Sequence, residues 1–85
     1  MTEYILIITH SPRAYRFEDR DDVRIVRPGA VLAGLPVRKI ILDQSLPLMG
    51  RDRNWLHTVA LLRLMPHGVL VERDPEEIEA EVLKD

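Results

Sequence analysis

Side chains with binding or acid–base chemistry gather at two places in the chain. Thr9, His10 and Ser11 follow one apolar run, and Asp43, Gln44 and Ser45 follow another. Arg51 and Arg53 stand a few residues beyond the second group. An imidazole, a carboxylate, hydroxyls and two guanidinium groups are what phosphate binding or acid–base hydrolysis requires. They can act together only if the two apolar runs lie side by side. Each also has a purely structural use: Ser11 as a helix cap, Asp43 as a loop-closing acceptor, His10 as a surface residue. No nucleophile elbow and no triad pattern accompanies them, so no catalytic residue is assigned.

Nucleotide and metal chemistry find less support. Arg38 to Gln44 has the form of a hydrophobic strand ending in a metal-binding acid, as in the second nucleotide-triphosphatase motif. Its partner, Gly-x-x-x-x-Gly-Lys-Ser/Thr after the first run, is absent. So is the Gly-x-Gly-x-x-Gly turn that lets a pyrophosphate approach the backbone. Pro12 also removes a donor from the turn after Ser11, where an anion would otherwise sit. His10, His57 and His67 share no metal-ligand spacing, and there is no cysteine. We expect neither cofactor nor metal.

A second signal is apolar. Over residues 54–65, at 100° per residue, Trp55, Leu56, Val59, Ala60 and Leu62 cover one broad helical face. Leu61, Leu64 and Met65 fall towards the other side, beside Asn54, His57 and Thr58. A helix lying on a sheet needs only the first group. His57, Leu61, Leu64 and Met65 are therefore a candidate protein interface, unless the last helix or the loop holding Leu46, Leu48 and Met49 covers them.

The elements that must position these groups can be read from the apolar pattern. Residues 4–9 are a continuous β-branched run, the mark of a strand covered on both faces, as in parallel sheets. Residues 23–26 form a second, less apolar strand, and residues 37–43 a third around Ile40, Ile41 and Leu42. Residues 69–72 form a fourth. Helices are expected over about 12–20, for one turn at 30–33, over 54–65 and from Asp74-Pro75-Glu76-Glu77 onwards. In that last segment Asp caps, Pro takes the first position and Glu meets the positive end of the helix dipole. Its apolar stripe is Ile78, Val82 and Leu83. The alternation predicts an α/β fold: a small open parallel sheet of four strands in order 2-1-3-4 with helices on both faces, Rossmann-like or flavodoxin-like in topology. Ligands of such sheets bind beyond the strand carboxyl ends where the order reverses, here between strands one and three.

Eighty-five residues make one domain with a thin core, for which self-association is a common source of added stability. A hydrophobic fraction of 46% with 31% charged residues describes a globular chain rather than a disordered one. The net charge of -2 argues against nucleic acid. Binding it would need Arg13, Arg16, Arg20, Arg24 and Arg27 on one face, and Glu18, Asp19, Asp21 and Asp22 intervene. No apolar run approaches the roughly 20 residues of a membrane span, and Met1-Thr2-Glu3-Tyr4 lacks the basic segment of a signal peptide. A cytoplasmic location is expected.

Tyr4-to-Thr9, Asp22-to-Pro28, Val37-to-Asp43 and the closing Asp-Pro-Glu-Glu helix together resemble the small Rossmann-like accessory proteins carried by actinobacterial phages. All basic residues but Lys39 and Lys84 are arginine, as GC-rich genomes favour. The resemblance is one of architecture and carries no site residues. It implies an accessory protein acting inside a bacterial host, often by binding a host protein; the short chain and the apolar helix face separately lead us to expect a protein partner or a homo-oligomer. Binding of a small molecule or phosphate, with Thr9, His10, Ser11, Asp43, Gln44 and Arg51, is the alternative expectation.

Overall fold

The computed structural model describes residues 3–17, 20–32, 34–45 and 48–84. Four strands, β1 (Tyr4–Ile8), β2 (Val23–Val26), β3 (Val37–Asp43) and β4 (Leu64–Arg73), form one parallel sheet in the order β2-β1-β3-β4. This is the predicted architecture. β1 and β3 are central because they alone can be covered on both sides. Leu6, Ile8, Ile40 and Leu42 point into one core with Trp55, Leu56 and Ala60. Ile5, Ile7 and Ile41 point into the other with Ile78 and Val82.

The crossovers divide between these faces. Tyr15 and Phe17, on the way from β1 to β2, pack on the second core. Leu32 on the way from β2 to β3, and the helical segment on the way from β3 to β4, pack on the first. The first connection runs one way across the sheet and the other two run back. A single crossover handedness therefore requires opposite faces.

Two expected helices are not formed. Among the described residues between β1 and β2 there is a 3-10 turn, Pro12–Ala14, and no longer helix, and Ser11 makes no side-chain cap. Tyr15 and Phe17 lie two residues apart, so they share a side only if the chain is extended there. Among the described residues, 30–32 form no helical turn either. Gly29 and Gly34 take positive φ, Leu32 is buried in the core with Ala30 and Leu35 packed against it, and Val31 is exposed. Glu18, Asp19, Ala33 and Leu46 lie outside the described residues.

The third helix starts earlier and ends earlier than 54–65. It runs through α1 (Arg51–Trp55), a π turn (Leu56–Ala60) and a 3-10 turn (Leu61–Arg63). Leu64, Met65 and Pro66 belong to β4, not to the helix. Between Leu64, opposite Val37, and Val69, opposite Lys39, β4 holds more residues than its partner, so 65–68 bulge from the ladder. Pro66 fits there because an edge bulge needs no ladder donor. Gly68 fits because a Cβ would stand 2.7 Å from Leu64 Cδ1 and 3.0 Å from the Arg38 carbonyl oxygen.

α2 (Pro75–Leu83) follows β4, with Asp74 at its N-cap and the Asp74 N–H donating to Glu77 Oε1 at 3.4 Å. Ile78 and Val82 are fully buried, but Leu83 is exposed. The place expected for Leu83 goes to Glu81, which accepts from Lys39 Nζ at 2.6 Å and from Arg73 Nε at 2.7 Å. This buried ion triad ties α2 to β3 and β4. The Lys39 hydrogen bond draws the Glu81 carboxyl below its usual range, against the opposing effect of burial.

A depressed carboxylate contributes stability that is present above its unfolded pKa, roughly 4.3, and is lost as pH falls towards the folded value. Urea unfolding should therefore show stability declining below about pH 5, and Glu81→Gln should flatten that decline. Glu81→Ala should cost about 3 kcal/mol, because it leaves the Lys39 charge buried and less completely paired.

Candidate functional site

At the carboxyl ends of β1 and β3, where the strand order reverses, the sheet closes on one carboxylate. Asp43 Oδ2 accepts from Thr9 Oγ1 at 2.8 Å and from the Tyr15 hydroxyl at 3.0 Å. Its Oδ1 accepts from the Ser45 backbone N–H at 2.9 Å and from Ser45 Oγ at 2.7 Å. A carboxylate has about four acceptor positions, and all are occupied. Thr9 Oγ1 in turn accepts the Ser11 N–H at 3.1 Å. Burial raises the Asp43 carboxyl, but the bonds from Ser45, Thr9 and Tyr15 outweigh it and hold the group below its usual range. The Tyr15 phenol is pushed up to about 12, first by burial and then by its bond to Asp43. Asp43 is thus a tie between β1, β3 and the chain after each of them, with no free lone pair to act as a base.

The structure brings together Thr9, Asp43 and Ser45 and separates the rest of the expected set. His10 Nε2 stands 3.8 Å from Asp52 Oδ2 instead. Ser11 is exposed and contributes its backbone, and Arg51 is exposed at the first turn of α1. Gln44 Nε2 reaches Glu72 Oε2 at 3.4 Å. Tyr15 was not anticipated as a site residue. Its two-residue spacing from Phe17 in a polar segment is the signal that could have placed it against the sheet.

The concave surface lies one strand over. A cleft of about 570 Å3 opens between the ends of β3 and β4 and the helical segment 51–63. Its floor is Leu42, Leu48, Met49, Leu56 and Leu70; Gln44, Arg53, His57 and Glu72 supply the polar groups. Thr9, His10, Ser11 and Arg51 are not part of its lining.

The expected interface also changes. His57 is exposed, but Leu61 and Leu64 pack against the core and Met65 is half-buried in β4. Leu62, expected in the core, is 74% exposed. The reason is the π turn, in which the Leu61 N–H bonds the Leu56 carbonyl five residues back. The wider turn brings Leu61 inwards and leaves Leu62 outside. Larger apolar exposure lies on β4, where Val69 is 49% and Leu70 41% accessible. Val69 pairs with Lys39 on the α2 face, and Leu70 with Ile40 on the opposite face, so the strand is bare on both sides.

The arginines do not converge. Arg20 and Arg38 bind Asp22 near the start of β2, and Arg24 lies 4.6 Å over the Tyr4 ring, whereas Arg13 and Arg27 lie beyond the carboxyl ends of β1 and β2. Among the described residues no group of three metal-ligating side chains forms, and no helix is long and apolar enough to cross a membrane. Compared with known protein families, curated proteins and solved structures, the chain matches none.

An absorbance titration should find a tyrosine ionising near pH 12 that is missing in Tyr15→Phe. Because the unfolded phenol ionises at about 10, stability should fall as pH rises between these values. Asp43→Asn should cost on the order of 2–3 kcal/mol by denaturant unfolding, since an amide nitrogen cannot accept from the donors it would face.

Proposed function

We propose that this chain is a small interaction module that binds protein by strand addition to the open edge of β4. The observation that carries the reading is the contrast between the two sheet edges. β2 is four residues long, and its Arg24 folds over Tyr4. β4 is ten residues long, has β3 as its one neighbour among the described residues, and exposes Val69 and Leu70 on opposite faces with no charge between His67 and Glu72. Sheet edges in monomers are normally blunted by charge, proline, bulges or brevity; in β4 Pro66 and the bulge blunt 65–68, and the regular apolar stretch 69–71 is left as a template for another strand. The fully bonded Asp43 supports the same reading, because it removes the best acid–base group from chemistry. An accessory role inside a bacterial host, implied by the resemblance to phage accessory proteins, is part of this proposal, as is a cytoplasmic location.

Selection from a random-peptide display library should return sequences that alternate apolar residues as strands do. They should bind the natural chain and lose at least tenfold in affinity for Leu70→Lys. Binders insensitive to both Val69→Lys and Leu70→Lys would sink the reading.

A second reading has one observation of its own. The cleft beside Leu70 has the volume of a small-molecule site, an apolar floor and a cation, Arg53, with His57 at its rim. A small amphipathic ligand with an anionic head suits it better than a phosphate in the β1–β3 crevice, which the Asp43 bonds close. Titration with a medium-chain fatty acid should shift the amide resonances of His57 and Leu70, and a panel of nucleotides or phosphosugars should shift those residues less. Unchanged resonances with both ligand classes would remove this reading.

A further inference from the structure

We propose that the strand which adds to β4 is β4 of a second copy, joined antiparallel about a two-fold axis at Leu70 into a continuous eight-stranded sheet. This inference rests on the strand-addition reading and names its occupant. A two-fold axis perpendicular to a sheet keeps each side chain on its own face. Residues opposite one another must then sum to an even number, which leaves few registers.

Centring on Leu70 sets Leu70 against its own symmetry mate on the cleft face. It sets Val69 of each copy against Val71 of the other on the α2 face. Glu72 falls opposite Gly68, at the end of the bulge, and the two Glu72 carboxylates stand at opposite ends of the pairing. Apolar thus meets apolar on both faces, and each such cross-strand pair is favourable. Centring on Val71 instead puts Leu70 against Glu72 and makes the two Glu72 diagonal neighbours. Centring on Leu70 pairs the regular stretch 69–71 with itself, whereas centring on Val69 sets Leu70 and Val71 opposite Gly68 and His67 of the bulge and Glu72 opposite Pro66, which lacks a donor.

The other edge explains why the assembly closes. Pairing of β4 with β2 of another copy would be heterologous and would propagate into a filament. β2 is four residues long, so it offers less edge to a partner strand than β4 does. An 85-residue chain is also of the size at which association supplies stability that a single thin core does not.

The chain has no cysteine, so an introduced one reports the register without background. Sedimentation velocity on the natural chain should give a dimer that weakens on dilution, and Leu70→Lys should be monomeric with an unchanged circular dichroism spectrum. Under mild oxidation Leu70→Cys should form a disulfide-linked dimer, because opposite Cβ atoms lie within reach of a disulfide. Glu72→Cys should remain unlinked. A monomer at every concentration tested, or linkage through Glu72→Cys and not Leu70→Cys, would overturn the proposal. If the chain is monomeric yet binds the selected strand peptides, self-pairing fails while strand addition stands. If it is monomeric and binds none, both fail.

Discussion

Every side chain of β1 from Ile5 to Ile8 is buried, on both faces of the sheet, and so is the run from Lys39 to Asp43 in β3. A strand without an exposed face must have cover above and below, and this chain has little with which to supply it. Segment 51–63 and α2 take the two faces over the centre, helped by Leu32 on one side and by Tyr15 and Phe17 on the other. That deployment exhausts the available cover. β4, last in the sheet, receives only part of it, and Val69 and Leu70 remain half-exposed on opposite faces. The open edge follows from covering two central strands with two helices.

The polar groups buried within this arrangement serve as fasteners. Glu81 joins Lys39 and Arg73 across β3, β4 and α2, and Asp43 joins β1, β3 and the residues after both. Among the described residues no buried side-chain nitrogen or oxygen lacks a hydrogen bond. Groups so completely satisfied are costly to disturb and have no spare capacity for a substrate. At the crevice where an α/β sheet commonly holds its ligand, the Asp43 carboxylate is bonded by Thr9, Tyr15 and Ser45. A concave surface lies towards β4.

The π turn at Leu56–Ala60 decides which helical residues face outwards. An ordinary helix through 54–65 would bury Leu62 and expose Leu61 and Met65. One five-residue hydrogen bond, from the Leu61 N–H to the Leu56 carbonyl, reverses the first two. The helix then stops at Arg63, and Met65 enters β4. Periodicity over a single segment has no means of registering such a shift, because the wider turn is favoured by the fit of Leu61 to the core and not by local propensity.

The amino-acid sequence alone determined the strands and their order. Continuous β-branched runs at 4–8 and 37–43 cannot be half-exposed, so those strands had to be central, and the crossover-length segments between the runs allowed them to be parallel. The cap and first turn of α2 were equally legible in Asp74, Pro75 and Glu77, because capping is a matter of adjacent residues. Tertiary structure decided the rest. It replaced the helix expected after Ser11 with extended chain, since Tyr15 and Phe17 reach the sheet only two residues apart. It assigned Asp43 to four hydrogen bonds whose donors are scattered from Thr9 to Ser45. It moved the apolar exposure from the third helix to the edge of β4. Each of these outcomes depends on which distant surface a side chain meets, and that is known only once the chain has closed on itself.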